Sequence, residues 1–241
     1  MPENDTSSES LRQLTNNYIL KALSKDDFKR LLPVLEPIEF TIGQKIYRAE
    51  QPIESVYFLN QAMVSVIATT AQGQTAEVGV IGHEGMVGID VLLGAESALN
   101  DSIIQIPGNG LRIGAKTIER EFKRGGRLQE LLLAFTRLMM MQISQTALCN
   151  RLHTVEERLS RWLLLSRDRA ASDELQLTQE FLSIMIGANR ATVTTSAISL
   201  QGGGFIKYSR GSIVIVDREG LEHFCCDCYR TVKQEYNRVQ K

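Results

Sequence analysis

The chain has 241 residues, 43% hydrophobic and 23% charged, a composition that suits one large globular domain or two modest ones. A net charge of −1 excludes a protein that coats nucleic acid through bulk positive charge, and four cysteines are too few for a disulfide framework and point to a reducing compartment. The first ten residues are polar and acidic, and no apolar run approaches the length of a bilayer span, so the sequence reads as cytoplasmic, untargeted and without a membrane partner.

Taken in chain order, residues 1–19 read as a disordered tail, rich in Ser, Glu, Asn and Asp at its start. Leu20, Leu23, Phe28, Leu31 and Leu32 then predict short helices. From Glu36 to about Glu119 the pattern becomes one of short strands, expected at 45–47, 55–59, 63–68, 76–81 and 102–105. Gln72-Gly-Gln and Pro107-Gly-Asn-Gly read as turns between them. Strands this short and this regularly spaced predict an antiparallel β-roll or jelly roll over residues 20–124.

Past Gly125-Gly126, Leu128, Leu131, Leu132, Phe135, Leu138, Met139 and Leu148 form a broad apolar stripe on a helix from about Arg127 to Leu152. At ~1.5 Å per residue such a helix exceeds 30 Å and needs a partner for its second face. A homodimer interface through Leu128, Leu131, Leu132, Phe135, Leu138 and Met139 supplies it, making 125–152 a dimerisation helix. Residues 153–241 follow as a further domain, with an amphipathic helix over 155–167, a linker over 169–173 and a final helix over 221–241. This part is slightly basic, with 13 Lys/Arg against 11 Asp/Glu from residue 151 onward and 14 against 17 before it.

The densest signal lies at 177–216. Thr178 is a good N-cap for a helix whose apolar positions Phe181, Leu182, Met185 and Ile186 share one face, with Gln179 and Glu180 outward. Gly187 breaks that helix, and Asn189 can cap a second whose inner face holds Val193, Ala197, Ile198 and Leu200. Its outer face carries Arg190, Thr192, Thr194, Thr195 and Ser199, short or donor-bearing side chains suited to phosphates and base edges. Gly202-Gly-Gly204 stops it, and Phe205–Tyr208 and Ser212–Val216 read as a hairpin whose tip bears Lys207, Tyr208 and Arg210. Helix, turn, helix and basic hairpin in this order spell a winged helix-turn-helix on double-stranded DNA.

The overall plan resembles the Crp/Fnr superfamily of bacterial transcription regulators from about Leu20 to Leu221. The resemblance rests on Leu177-Thr-Gln-Glu-Phe181, Gly187-Ala-Asn-Arg-Ala-Thr-Val193 and Ile206-Lys-Tyr-Ser-Arg-Gly211. It implies an α+β fold in three parts: a cyclic-nucleotide-binding-like β-roll, a dimerisation helix and a winged helix-turn-helix. It further implies a homodimer on a palindromic operator, no enzymatic activity and no cofactor, with RNA polymerase and an unidentified small-molecule effector as further partners. By the same resemblance Arg190 stands where a family arginine reads guanine, while Ala191 and Thr195 replace the usual glutamate and second arginine. Members that bind cyclic AMP use a glycine-glutamate turn and an arginine-serine or arginine-threonine pair. The corresponding effector-site residues here are Gly88, Asp90, Asp101 and Ser102, and a carboxylate in place of the phosphate-pairing arginine predicts a chain independent of cyclic nucleotides.

Two other readings are weighed against this one. A cyclic-nucleotide-responsive activator would share the fold. A thiol or metal redox sensor would use His223, Cys225, Cys226 and Cys228, but on one continuous helix Cys226 points away from Cys225 and Cys228, so the expectation is no metal. His153 stands alone at a helix bend and reads as structural.

Overall fold

The computed structural model describes residues 15–177, 179–209 and 211–240, apart from the side chain of Gln179. The first fourteen residues of the expected tail lie outside the described residues, and its remainder is not a tail. Thr15, Asn17 and Ile19 are buried, and Asn17 caps α1 (Tyr18–Lys21). The Asn17 amide donates to Leu59 O at 3.1 Å and to Gly85 O at 2.7 Å, satisfying two buried carbonyls with one polar side chain. Ser24 caps α2 (Lys25–Leu31) in the same way, accepting from the Asp27 amide.

Eight strands follow: β1 (Glu36–Phe40), β2 (Lys45–Tyr47), β3 (Ser55–Leu59), β4 (Met63–Thr69), β5 (Thr75–Ile81), β6 (Met86–Val87), β7 (Asp101–Ile106) and β8 (Gly108–Gly114). They form two four-stranded sheets, ordered β1-β8-β3-β6 and β2-β7-β4-β5. Tyr47 of one sheet and Tyr57 of the other bring their ring centroids to 5.9 Å, and Phe58, Met63, Met86, Ile104 and Ile113 are fully buried. The strands expected from alternation are present to within a residue or so at each end. β8 is the correction, since Gly108-Asn-Gly110 reads as a turn but is a strand held antiparallel between β1 and β3. A Cβ on Gly110 would stand 2.4 Å from the Phe58 carbonyl oxygen and 3.0 Å from the Phe40 ring. The glycine therefore serves close approach within the sheet, not a reversal of the chain.

After β8 come α3 (Ala115–Lys123), absent from the sequence reading, and Gly125 and Gly126, whose φ of 80° and 78° turn the chain into α4 (Arg127–Leu152). The dimer interface expected from the sequence needs correcting here. Leu128, Leu131, Leu132, Phe135, Leu138 and Met139 are each at most 3% exposed within a single chain, so they are core and not free to meet a partner. Phe135 fills the space over Gly85, where a Cβ would lie 2.0 Å from the ring. The opposite side of α4 instead exposes Leu133, Met140, Ile143 and Leu148, the last of which belongs to the apolar stripe read from the sequence. By length and composition alone α4 is apolar enough to cross a membrane, contrary to the sequence reading, but its inner row is buried against protein.

The chain divides into two compact units. One comprises the chain to Val66, Val80–Met139 and the residues from Val239, and the other Ile67–Gly79 with Met140–Arg238. The division thus falls within α4 and gives the β4–β5 hairpin end to the second unit, where the boundaries expected at 124 and 152 do not. In that second unit Thr154 and Glu157 form a capping box at the start of α5 (Val155–Ala170). The Trp162 indole N–H on α5 donates to the buried Glu77 carboxylate of the hairpin at 2.9 Å. Next come β9 (Glu174–Gln176), α6 (Gln179–Ile186), α7 (Arg190–Gly202), β10 (Ile206–Ser209) and β11 (Ser212–Ile215), with the strands in the order β10-β11-β9. The expected single C-terminal helix is two, α8 (Arg218–Phe224) and α9 (Asp227–Val239), because Cys225 between them is extended. Arg218 ties them to α5 through Asp168 at 3.2 Å and to Glu222 at 2.9 Å, and the buried Tyr229 hydroxyl donates to Asp168 at 2.8 Å.

Gly110→Ala is expected to lower stability by about 1–3 kcal/mol, because the clash is with backbone and cannot be relieved by a rotamer change. Gly114→Ala, with 3.8 Å to its nearest neighbour, meets no clash; the N-cap preference for glycine over alanine opposes the lost freedom of glycine in the unfolded chain, so a change of less than about 1 kcal/mol is expected. Parallel denaturant melts of the two variants distinguish close approach from generic glycine loss.

Candidate nucleic-acid interface

The helix-turn-helix is built by three local devices. Gly187, at φ 63°, turns the chain out of α6. Asn189 then caps α7, its Oδ1 accepting from the Thr192 amide at 2.9 Å and from the Thr192 hydroxyl at 3.0 Å. Gln201 near the other end of α7 accepts from the Tyr208 amide at 2.7 Å and so fixes the wing against the helix. Within the unit Val193, Ser196, Ala197 and Leu200 point inward, against a core that includes Leu163, Leu182 and Ile213. Ile198, expected on that inner face, is 56% exposed, since one residue past Ala197 rotates it by about 100° around the axis.

The outward face of α7 therefore carries Arg190, Ala191, Thr195, Ile198 and Ser199, with Thr192 and Thr194 half-buried at its edge. The Thr194 and Thr195 hydroxyls donate to the Arg190 and Ala191 carbonyls at 2.8 and 3.1 Å, which leaves their oxygens as acceptors. Arg190 pairs with Glu180 of α6 at 2.9 Å, both side chains well exposed. A pair this wet is worth at most about 1 kcal/mol, so the guanidinium can leave it for a better acceptor. On the wing, Lys207 is exposed and Tyr208 half-buried opposite Ile213. Thr178, the Gln179 side chain and Arg210 lie outside the described residues. The sequence reading did not find the roles of Glu180, which holds Arg190, or of Ile198, an apolar outward group of the kind that meets a thymine methyl.

None of the effector-site candidates Gly88, Asp90, Asp101 and Ser102 is a cation. Gly88 has φ 100°, and a Cβ there would meet the Tyr47 hydroxyl at 2.5 Å. Asp90 is half-buried and burial raises its pKa, while Ser102 is buried in β7. For Asp101 burial opposes ionisation, but the Ala49 amide at 2.8 Å and the Lys45 ammonium at 3.0 Å outweigh it and hold the carboxyl below its ordinary value. Both its oxygens are thereby engaged. A half-open cleft of about 570 Å³ in the same unit is lined by other residues, among them Glu54, Glu96 and Glu119 against Lys116.

The C-terminal cysteine group is split by the break at Cys225. His223 is bonded to the Glu219 carbonyl of its own helix, and Cys225 donates to the Glu157 carbonyl at 3.8 Å. Cys226 and Cys228 turn the other way, toward Cys149 and His153. Hydrogen bonding to Cys226 and burial push the Cys149 thiol far up. The Cys149 contact lowers that of Cys226, but hydrogen bonding to Cys225 and burial overcome it and push it up to about 12, and burial pushes Cys228 up to about 11.

A β-roll, a long helix and a winged helix-turn-helix follow one another in the chain. Residues 157–224 match the family model of the Crp-like helix-turn-helix domain, and this segment is such a domain. FixK2 from Bradyrhizobium japonicum is 17% identical with a TM-score of 0.69, covering 80% of this chain and 98% of its own. CLP, a c-di-GMP-responsive global regulator from Xanthomonas campestris, is 16% identical with a TM-score of 0.66, covering 80% and 99%. A CRP-family transcriptional regulator from Thermus thermophilus is 16% identical with a TM-score of 0.63, covering 77% and 95%. The fold is thus that of Crp/Fnr-type regulators. No curated protein matches the sequence.

Proposed function

We propose that this chain is a homodimeric transcription regulator that binds a palindromic DNA site without responding to cyclic nucleotides. The observation that carries the reading is the outward face of α7, where Arg190 is held at the helix start by a weak, exchangeable ion pair with Glu180, in a segment that is a Crp-like helix-turn-helix domain. Arg190 would donate bidentate hydrogen bonds to guanine in exchange for that pair, and Thr195, Ile198 and Ser199 would meet the next base edges. Thr178, Gln179, Asn189, Thr192, Thr194, Lys207, Tyr208 and Arg210 would serve the backbone and orientation, with RNA polymerase and a small-molecule effector as the further partners of such a regulator.

Homodimerisation would use the exposed row Leu133, Met140, Ile143 and Leu148, because the inner row of α4 is already filled. Independence of cyclic nucleotides is supported by Asp101, which by the resemblance stands for a phosphate-binding arginine and whose carboxylate is engaged by Lys45 and the Ala49 amide. The break at Cys225, which separates His223 and Cys225 from Cys226 and Cys228, speaks against a redox sensor built on those four residues.

On a site selected from random DNA by the wild-type protein, Arg190→Ala is expected to lose about 1–3 kcal/mol, roughly 5- to 150-fold, while its sedimentation stays that of wild type. Unchanged affinity for the selected site would remove Arg190 as the base reader. Calorimetric titration with cyclic AMP or cyclic GMP is expected to give no saturable heat, and micromolar binding would reverse the second half of the proposal.

A further inference from the structure

The fold gathers two pairs of residues that lie more than seventy positions apart in the sequence. Cys149 occupies the last turn of α4 and His153 follows it by four residues, so both face the same side, and the His153 amide still bonds to the Cys149 carbonyl at 3.1 Å. Cys226 and Cys228 come from the extended break between α8 and α9 and the first turn of α9. The Cys149 and Cys226 sulfurs are 3.6 Å apart, Cys228 Sγ is 3.5 Å from His153 Nδ1, and all four ligand atoms lie within 4.8 Å of one another. The three cysteines are at most 5% exposed and His153 is partly so.

Two of these separations, 3.6 and 3.5 Å, are edges of a mononuclear tetrahedral site, and the remaining ones, none above 4.8 Å, close to that geometry with small side-chain rotations. With Zn–S of about 2.3 Å and Zn–N of about 2.0–2.1 Å, the edges of a ligand tetrahedron measure roughly 3.5–3.8 Å. An iron–sulfur cluster would need its ligating sulfurs spread over several irons, farther apart than these. The surroundings also suit a metal. Zinc bound by three thiolates and a neutral imidazole carries a net charge of −1 and displaces three thiol protons. Arg161, only 6% exposed, lies near Cys149 and Cys228; it donates to the Thr146 hydroxyl at 3.3 Å, and its Nε has no hydrogen-bond partner among the described residues. A buried cation without a carboxylate partner among the described residues is costly beside neutral thiols and well placed beside an anionic metal centre. Asp227 sits 4.0 Å from His153 Nε2, on the side where a ligating histidine presents its second N–H to a carboxylate.

We propose that Cys149, His153, Cys226 and Cys228 bind one zinc ion, in a closed structural site that ties the end of α4 to the α8–α9 junction. Four protein ligands leave no open position, so the ion does no chemistry; it holds together segments on both sides of the helix break at Thr154. Cys225, bonded to the Glu157 carbonyl, is not a ligand.

The test uses the full-length chain purified under reducing conditions. One equivalent of zinc per chain by elemental analysis is expected. After removal of zinc, reduced protein titrated with cobalt(II) is expected to give thiolate-to-cobalt charge transfer and the visible bands of a tetrahedral centre, saturating at one equivalent. Cys228→Ser and His153→Gln are expected to lose the stoichiometric metal, and Cys225→Ser to keep it. Substoichiometric zinc together with no tetrahedral cobalt spectrum in the wild-type protein overturns the proposal whether or not the variants fold. Equal loss in Cys225→Ser overturns the ligand set, and a Cys149–Cys226 disulfide trapped by thiol blocking in intact cells overturns the metal in favour of a dithiol.

Discussion

The structure depends on how one long helix disposes of its apolar surface. α4 runs for 26 residues and is apolar on more than one side. Its inner row, from Leu128 to Met139, is buried in its own chain, and glycine at position 85 is what allows Phe135 to approach. The remaining row leaves Leu133, Met140, Ile143 and Leu148 in water, each forgoing up to about 1.5–3 kcal/mol of burial. A second copy presents the same row, and a twofold axis lets the row bury itself. Two copies joined in this way would carry two recognition helices, which is what a palindrome requires.

Within the DNA-binding unit most polar groups are already committed, and this narrows what is free to read DNA. Asn189 is spent on the cap of α7, Gln201 on the wing, and the Thr194 and Thr195 hydrogens on backbone carbonyls. Arg190 is held only weakly, because its partner Glu180 is exposed, and Ser199 and Lys207 are also exposed. The same carboxylate repels phosphate when Arg190 leaves it. On the proposed reading, Glu180 would thus set both the resting position of Arg190 and part of the cost of moving it to a base.

Much of this was legible in the sequence, and the failures have physical reasons. Alternation along 55–59 and 76–81 reported strands directly, and Asn189 and the three glycines after Gln201 bounded α7 because caps and stops are local chemistry. Glycine itself is ambiguous: the same residue that permits a turn permits close approach, and only the position of Phe58 decides that Gly110 does the second. Periodicity reported that α4 had more apolar surface than one contact could cover, but not which row the chain would fill itself. Asn17 looked like tail because its value lies in two carbonyls more than forty residues away. The sequence showed Cys226 and Cys228 beside Cys225. It could not show that an extended residue at 225 would turn two of them toward Cys149 and His153, which is a consequence of tertiary packing.

The central claim is that two chains, joined through the outer row of α4, read two copies of one half-site. Selection of binding sites from a random DNA pool, followed by sedimentation of the purified protein on the selected duplex, tests it directly. The account predicts palindromic sites with half-site centres about 10 base pairs apart, bound by two chains per duplex. Non-palindromic sites occupied by a single chain would contradict it.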